Sequence, residues 1–140
     1  MKYVSGFYWE RGRNKTNQDS IILQQVATDY GRILLAAVSD GIGGLSEGEN
    51  ASGYIGEKMV ENFYGQLIPI MGKRRKKQLF LRSLLRCFYQ IRQTFIRYGQ
   101  EREIMLGATV SLLLLWKRNY LIFHLGDSRI YHYCGKRQKI

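Results

Sequence analysis

Residues 32–44 read RILLAAVSDGIGG. The run Ile33-Leu34-Leu35-Ala36-Ala37-Val38 is apolar without alternation, which reads as a strand buried on both faces rather than one lying at a surface. Asp40 closes it, and Gly41, Gly43 and Gly44 stop any regular element from continuing. Upstream, Asp29-Tyr30-Gly31 predicts a hairpin turn back to a strand over Ser20–Thr28, where Ile21, Ile22, Leu23 and Val26 supply the apolar positions. Tyr3–Trp9 alternates weakly and predicts a further strand.

Downstream of Gly48 the period changes. Ala51, Ile55, Met59, Phe63 and Leu67 recur every four residues, the spacing of one helix face, and Pro69 with Gly72 predicts its end. The basic run Lys73–Lys77 leads into a second helix, with an expected stripe of Leu81, Leu84, Leu85, Phe88, Ile91 and Phe95. Gly99 and Gly107 bracket a short connection. Strands are then expected at Ala108–Trp116, Tyr120–His124 and Arg129–Tyr133, the first two joined by a tight turn at Lys117-Arg118-Asn119. Strands, two helices, then strands is an α+β arrangement, with helices laid on one face of an antiparallel sheet.

The chain has 140 residues, 45% hydrophobic and 24% charged, with a single Pro. This fits one domain over residues 1–140 and excludes disordered and collagen-like classes. Cys87 and Cys134 are too few for a disulfide framework or a zinc cluster; Cys87 reads as a small buried hydrophobe. No signal sequence is visible, and Val110–Trp116 is far shorter than the roughly 20 residues that span a bilayer. A cytoplasmic protein without a membrane span is expected. The net charge of +11 is concentrated: Gly72–Arg102 holds ten Lys or Arg against one acid. No nucleic-acid motif accompanies it, and Phe80, Phe88 and Phe95 fit a helix core better than a stacking platform. The run reads as a solvated loop and helix start that could also steer anionic substrates.

Three carboxylates stand where strands end. Asp40 precedes glycines that allow close approach of a ligand or, equally, form a turn that Asp40 caps. Asp127 sits in Gly126-Asp127-Ser128-Arg129, which is either a second strand-end site or a hairpin turn. Asp19 lies in Asn17-Gln18-Asp19-Ser20, at the head of the first long strand. Converging at one rim of a sheet, such oxygen ligands without His or Cys would suit Mg²⁺ or Mn²⁺. His124 and His132 read as packing or solvent-facing residues, and Thr109 and Ser111 as strand residues without a neighbouring base.

In order, NQDS (17–20), VSDGIGG (38–44) with EGENAS (47–52), GATVSLLLL (107–115) and HLGDSRIYHY (124–133) resemble the bacterial branch of the metal-dependent protein phosphatases, the type 2C serine/threonine phosphatases. The resemblance implies a β-sandwich of two sheets flanked by helices, with a two-metal Mn²⁺ or Mg²⁺ centre, and in some members a third ion. It implies that Asp40 bridges two metals, that Gly41 offers its carbonyl, that Asp19 holds metal-bound water, and that Asp127 serves the accessory metal. The implied reaction is direct attack of water on phosphoserine or phosphothreonine. The implied partners are phosphoproteins and a bacterial serine/threonine kinase.

This sequence departs from that pattern in three places. The family's phosphate-binding arginine falls at Asn14, so the expected contact passes to Arg13, one residue earlier. Ile42 occupies the position of a histidine in some eukaryotic members. The later aspartates of the family domain have no counterpart, since nothing after Asp127 is acidic. The chain therefore reads as the N-terminal half of that domain, expected to be poorly active alone and to be either a fragment or completed by another copy or another polypeptide. The alternative is a catalytically inactive phosphatase-like module that binds a partner or phosphopeptide.

Overall fold

A computed structural model describes residues 2–13, 17–42 and 47–135. Four strands form one antiparallel sheet in sequence order: β1 (Asp19–Thr28), β2 (Gly31–Asp40), β3 (Val110–Trp116) and β4 (Asn119–Leu125). Between β2 and β3 the chain forms α1 (Gly48–Asn62), a π-helical turn (Phe63–Leu67), the short α2 (Ile68–Ile70) and the long α3 (Lys76–Arg102). The predicted α+β class holds, with the helices on one face of the sheet. Among the described residues there is one sheet; a second sheet of a sandwich is not among them.

Cross-strand register sorts the two faces. Ile22, Ala37 and Leu112 share a row, as do Leu35, Leu114 and Leu121, and Ile33 with Trp116. All of these are buried, beneath Ile55, Met59, Phe63, Phe80, Leu84 and Ile91 of the helices. Each such side chain contributes about 1.5–3 kcal/mol on burial. The four-residue stripe of α1 and the π turn is confirmed in full: Ala51, Ile55, Met59, Phe63 and Leu67 are all buried. Helical backbone continues through the π turn to Ile70, so the helix ends one residue after Pro69, as expected, with the π-helical irregularity directly upstream of the proline.

Three expectations are corrected. In α3 the buried positions are Phe80, Leu84, Cys87, Ile91 and Gly99; of the expected stripe Leu84 and Ile91 are buried and Phe88 and Phe95 pack partly buried against the core, whereas Leu81 and Leu85 are exposed. The true stripe alternates steps of four and three and uses Cys87, so it lies one residue away from the leucine-rich face. Tyr3–Trp9 is not a strand: this segment makes its contacts through side chains, with Tyr3 Oη donating to the Lys117 carbonyl (3.0 Å) and Trp9 Nε1 to the Asp19 carbonyl (3.3 Å). Arg129–Tyr133 forms no ladder either.

The other face of the sheet carries Ile21, Leu23, Ala36, Val38, Leu113 and Ile122. Val38 and Ile122 remain exposed, so β2 is not buried on both faces along its whole length. Phe7, Ile130 and Tyr131 border a recess over this face. Asp19 and Asp40 fall on this face.

Candidate active site

β1 and β2 pair along their full length, and the last rung of their ladder sets Asp19 opposite Asp40. Directly opposed residues point to the same side of a sheet. Here that side faces away from the helices, because the next rung, Ser20 with Ser39, faces them. Ser20 Oγ donates to Ser52 Oγ of α1 (3.2 Å) and Ser52 Oγ donates to the Gln18 carbonyl (2.6 Å). Asn17 caps the strand entry, its Oδ1 accepting the Asp19 amide at 2.9 Å.

Beyond Asp40 the chain stays in register for two more residues. The Asp40 carbonyl accepts from the Thr109 amide (2.8 Å), and the Ile42 amide donates to the Gly107 carbonyl (3.1 Å), bridging Gly41 to Ala108. The Gly41 amide donates to the Gln18 carbonyl at 2.9 Å. The two bridge bonds leave the Gly41 carbonyl outside them. Gly41 is required for room: a Cβ there would lie 2.3 Å from the carbonyl oxygen of Gly48, in the first turn of α1. This close approach brings the start of α1 against the strand end.

Asp127 follows β4 in a turn that three groups hold. Gly126 has φ +114°, a conformation glycine tolerates, and a Cβ there would lie 2.5 Å from Thr109 Cγ2. His124 Nε2 donates to the Gly126 carbonyl at 2.9 Å, so its Nδ1 accepts from Ser111 Oγ, also at 2.9 Å. Ser128 Oγ lies 3.4 Å from Thr109 Oγ1. β3 lies between β2 and β4, so the β4 strand that leads into the Asp127 turn runs about two strand spacings, roughly 10 Å, from β2.

Electrostatics ties the three acids together. The Asp40 carboxyl is raised to about 6 by partial burial, then by its hydrogen bond to Asp19 and the negative charges of Asp19 and Asp127. Asp40 keeps a solvent-exposed edge, which limits what burial can supply. The two neighbouring carboxylates are the contribution specific to this rim. Among the described residues no group of three His, Cys, Asp or Glu side chains could hold one metal ion. The rim brings Asp19 and Asp40 into contact, and the charge of Asp127 acts on Asp40. Arg13 is exposed in the turn after Gly12 and makes no ion pair with these acids among the described residues. Asn14, Gly43 and Gly44 lie outside the described residues.

Sequence reasoning passed over several supporting groups. Ser39, fully buried, donates to the Thr109 carbonyl at 2.9 Å. Glu47, in left-handed backbone just before α1, accepts from Tyr98 Oη (3.3 Å) and Asn50 Nδ2 (3.2 Å). The only linear signal for His124 was its nearness to the Gly126-Asp127 turn.

The described helices include none long and apolar enough to cross a membrane. A family model described as protein phosphatase 2C matches residues 10–139. A Mycoplasma genitalium protein named "Putative protein phosphatase" is 30% identical over 100 residues, 70% of this chain and 38% of that protein. A Mycoplasma pneumoniae protein of the same name is 29% identical over 119 residues, 84% of this chain and 45% of that protein. The matches thus span less than half the length of these curated relatives, and the residues matched by the family model take in Asp19, Asp40 and Asp127. The chain belongs to the protein phosphatase 2C family.

Proposed function

We propose that this chain carries the phosphate-hydrolysing rim of a serine/threonine phosphoprotein phosphatase that uses Mg²⁺ or Mn²⁺. The observation that carries the reading is the contact between the Asp19 and Asp40 carboxylates at the end of the first ladder, with the charge of Asp127 added. Like charges directly opposite each other in a sheet destabilise it, and a divalent cation relieves that repulsion. The donor chemistry fits: hard carboxylate oxygens, with the Gly41 carbonyl adjacent, are the ligand types of Mg²⁺ and Mn²⁺. The number of ligands falls short among the described residues. Asp19, Asp40 and Gly41 would hold the ion, with Asp127 serving an accessory position. When bound, the ion supplies charge neutralisation at a phosphoryl group and acidification of water.

This chain's own residues do the positioning. The Gly41–Gly48 contact sets the strand end against α1, and the Thr109 and His124 bonds hold the Asp127 turn. Arg13 would bind a substrate phosphate oxygen through its guanidinium. Phosphorylated proteins are the proposed substrates, with a bacterial serine/threonine kinase acting in the opposite direction.

Calorimetric titration of Mn²⁺ into the chain and its Asp40→Asn variant tests the reading, followed by hydrolysis of a phosphothreonine peptide. Saturable binding lost in the variant, with metal-dependent phosphate release, is the expected result. A folded chain that binds no Mn²⁺ overturns it. The shortfall of ligands favours a second reading, a phosphatase-like module that binds phosphopeptide without turnover; that reading requires peptide affinity with no phosphate release.

A further inference from the structure

The opposite end of α1 presents a second polar site, which does not depend on the catalytic reading. Asn62 closes α1. Its Oδ1 accepts from Ser83 Oγ of α3 at 3.1 Å, while its Nδ2 is buried without a hydrogen-bond partner. An unsatisfied buried donor of this kind is costly, and such groups in native proteins are met by protein, water or ligand. The π-helical turn Phe63–Leu67 follows at once, an irregularity that recurs at functional sites.

Asn62 lines a recess of about 490 Å³ between this helix end and the first half of α3, with Gln66, Lys73, Arg82, Ser83 and Arg86 on its wall and no carboxylate. The ion pairs among the described residues are Lys58–Glu61 and Arg102–Glu101, so all three cations of the recess lack an acidic partner there. Arg82 and Arg86 are four residues apart, hence stacked on one helix face, where two guanidinium groups can share one oxyanion. The length of α1 separates the recess from Asp40, about 22 Å at 1.5 Å per residue.

We propose that this recess binds the phosphate group of a small soluble molecule, either free inorganic phosphate or a phosphate monoester. Three cations and neutral amide groups without an acid match a dianion better than a monoanion. The concave wall between two helices suits a small ligand better than an extended polyanion, which would track an open basic surface.

The test is calorimetry on the full chain at constant ionic strength, with inorganic phosphate and glycerol 3-phosphate as probes. One-to-one binding is expected, with Kd between about 10 µM and 1 mM. The double variant Arg82→Gln/Arg86→Gln should weaken it at least about tenfold. Arg92→Gln/Arg97→Gln removes the same charge from α3 outside the recess and should leave affinity within about twofold. Asn62→Asp keeps an oxygen for Ser83 but sets a carboxylate on the cationic wall, and should also weaken binding at least about tenfold; circular dichroism confirms its fold. Tighter binding of the ester identifies a monoester ligand, and tighter binding of phosphate identifies the free ion. Absence of saturable binding, equal losses in the two arginine pairs, or binding confined to oligonucleotides with a steep salt slope overturns the proposal.

Discussion

Asp19 and Asp40 are cross-strand partners on the last rung of the β1–β2 ladder, so two carboxylates share one side of the sheet in hydrogen-bond contact. Most strand pairs avoid this arrangement, because like charges directly opposite weaken the sheet. It places a local destabilisation at the rim where the chemistry is proposed.

A pH dependence follows for the metal-free chain. The Asp40 carboxyl has its folded value raised from 3.8 to about 6, by partial burial, the Asp19 hydrogen bond and the neighbouring charges. A raised folded value means that the neutral form is favoured by folding. The contribution is therefore fully present below about 3.8 and is lost as pH rises through about 6. Asp40→Asn removes the dependence. Its melting temperature should exceed that of the wild type at pH 7.5, with the gap closing toward pH 4, as read by circular dichroism melts in chelator. A gap independent of pH would show that the raised carboxyl is not felt by stability.

The Gly41–Gly48 approach has a steric signature. A Cβ at Gly41 would lie 2.3 Å from the backbone oxygen of Gly48, whereas one at Gly53, inside α1, meets nothing within 4 Å. Gly41→Ala should destabilise by about 1–3 kcal/mol through forced displacement of the α1 start. Gly53→Ala should stabilise by about 0.5–1 kcal/mol, since alanine is the better helix former. Urea unfolding of both variants gives the two opposite signs.

The face of α3 can be assigned by a pair of truncations. Leu84 is 1% exposed and Leu81 is 43% exposed. Leu84→Ala should cost about 2–5 kcal/mol, the range for a cavity in a packed core, and Leu81→Ala less than about 1 kcal/mol. Equal costs would mean that the helix sits rotated from the orientation described.

His124 positions the Asp127 turn through two hydrogen bonds of 2.9 Å, to Ser111 Oγ and the Gly126 carbonyl. His124→Phe should raise amide exchange in residues 126–128 while costing only about 0.5–1.5 kcal/mol globally. A global loss with unchanged local exchange would make the ring a packing residue instead.

Local signals in the chain were enough for β1, β2, β3 and β4, for α1 and for the turn at Asp29-Tyr30. In each of these the apolar period or a turn residue is carried by adjacent positions, and short-range geometry suffices. The buried row Ala51, Ile55, Met59, Phe63 and Leu67 is the clearest case. The three aspartates were legible as strand-end carboxylates for the same reason.

What adjacency could not supply is the choice among equally apolar faces. In α3, Leu81 and Leu85 look as suited to the core as Phe80 and Cys87, and packing of Phe80 against Trp116 and of Cys87 against the Lys58 carbonyl of α1 selected the latter. The same holds for Tyr3–Trp9 and Arg129–Tyr133, whose alternation is compatible with a strand but which lie where no ladder partner receives them. Contact between Asp19 and Asp40, 21 positions apart, depends on a register that only the closed hairpin defines. The orphan amide of Asn62 beside Arg82 and Arg86 likewise exists because two helices pack. Sequence carries period and residue chemistry; distance between remote side chains is a property of packing, which sums small contributions over the whole chain.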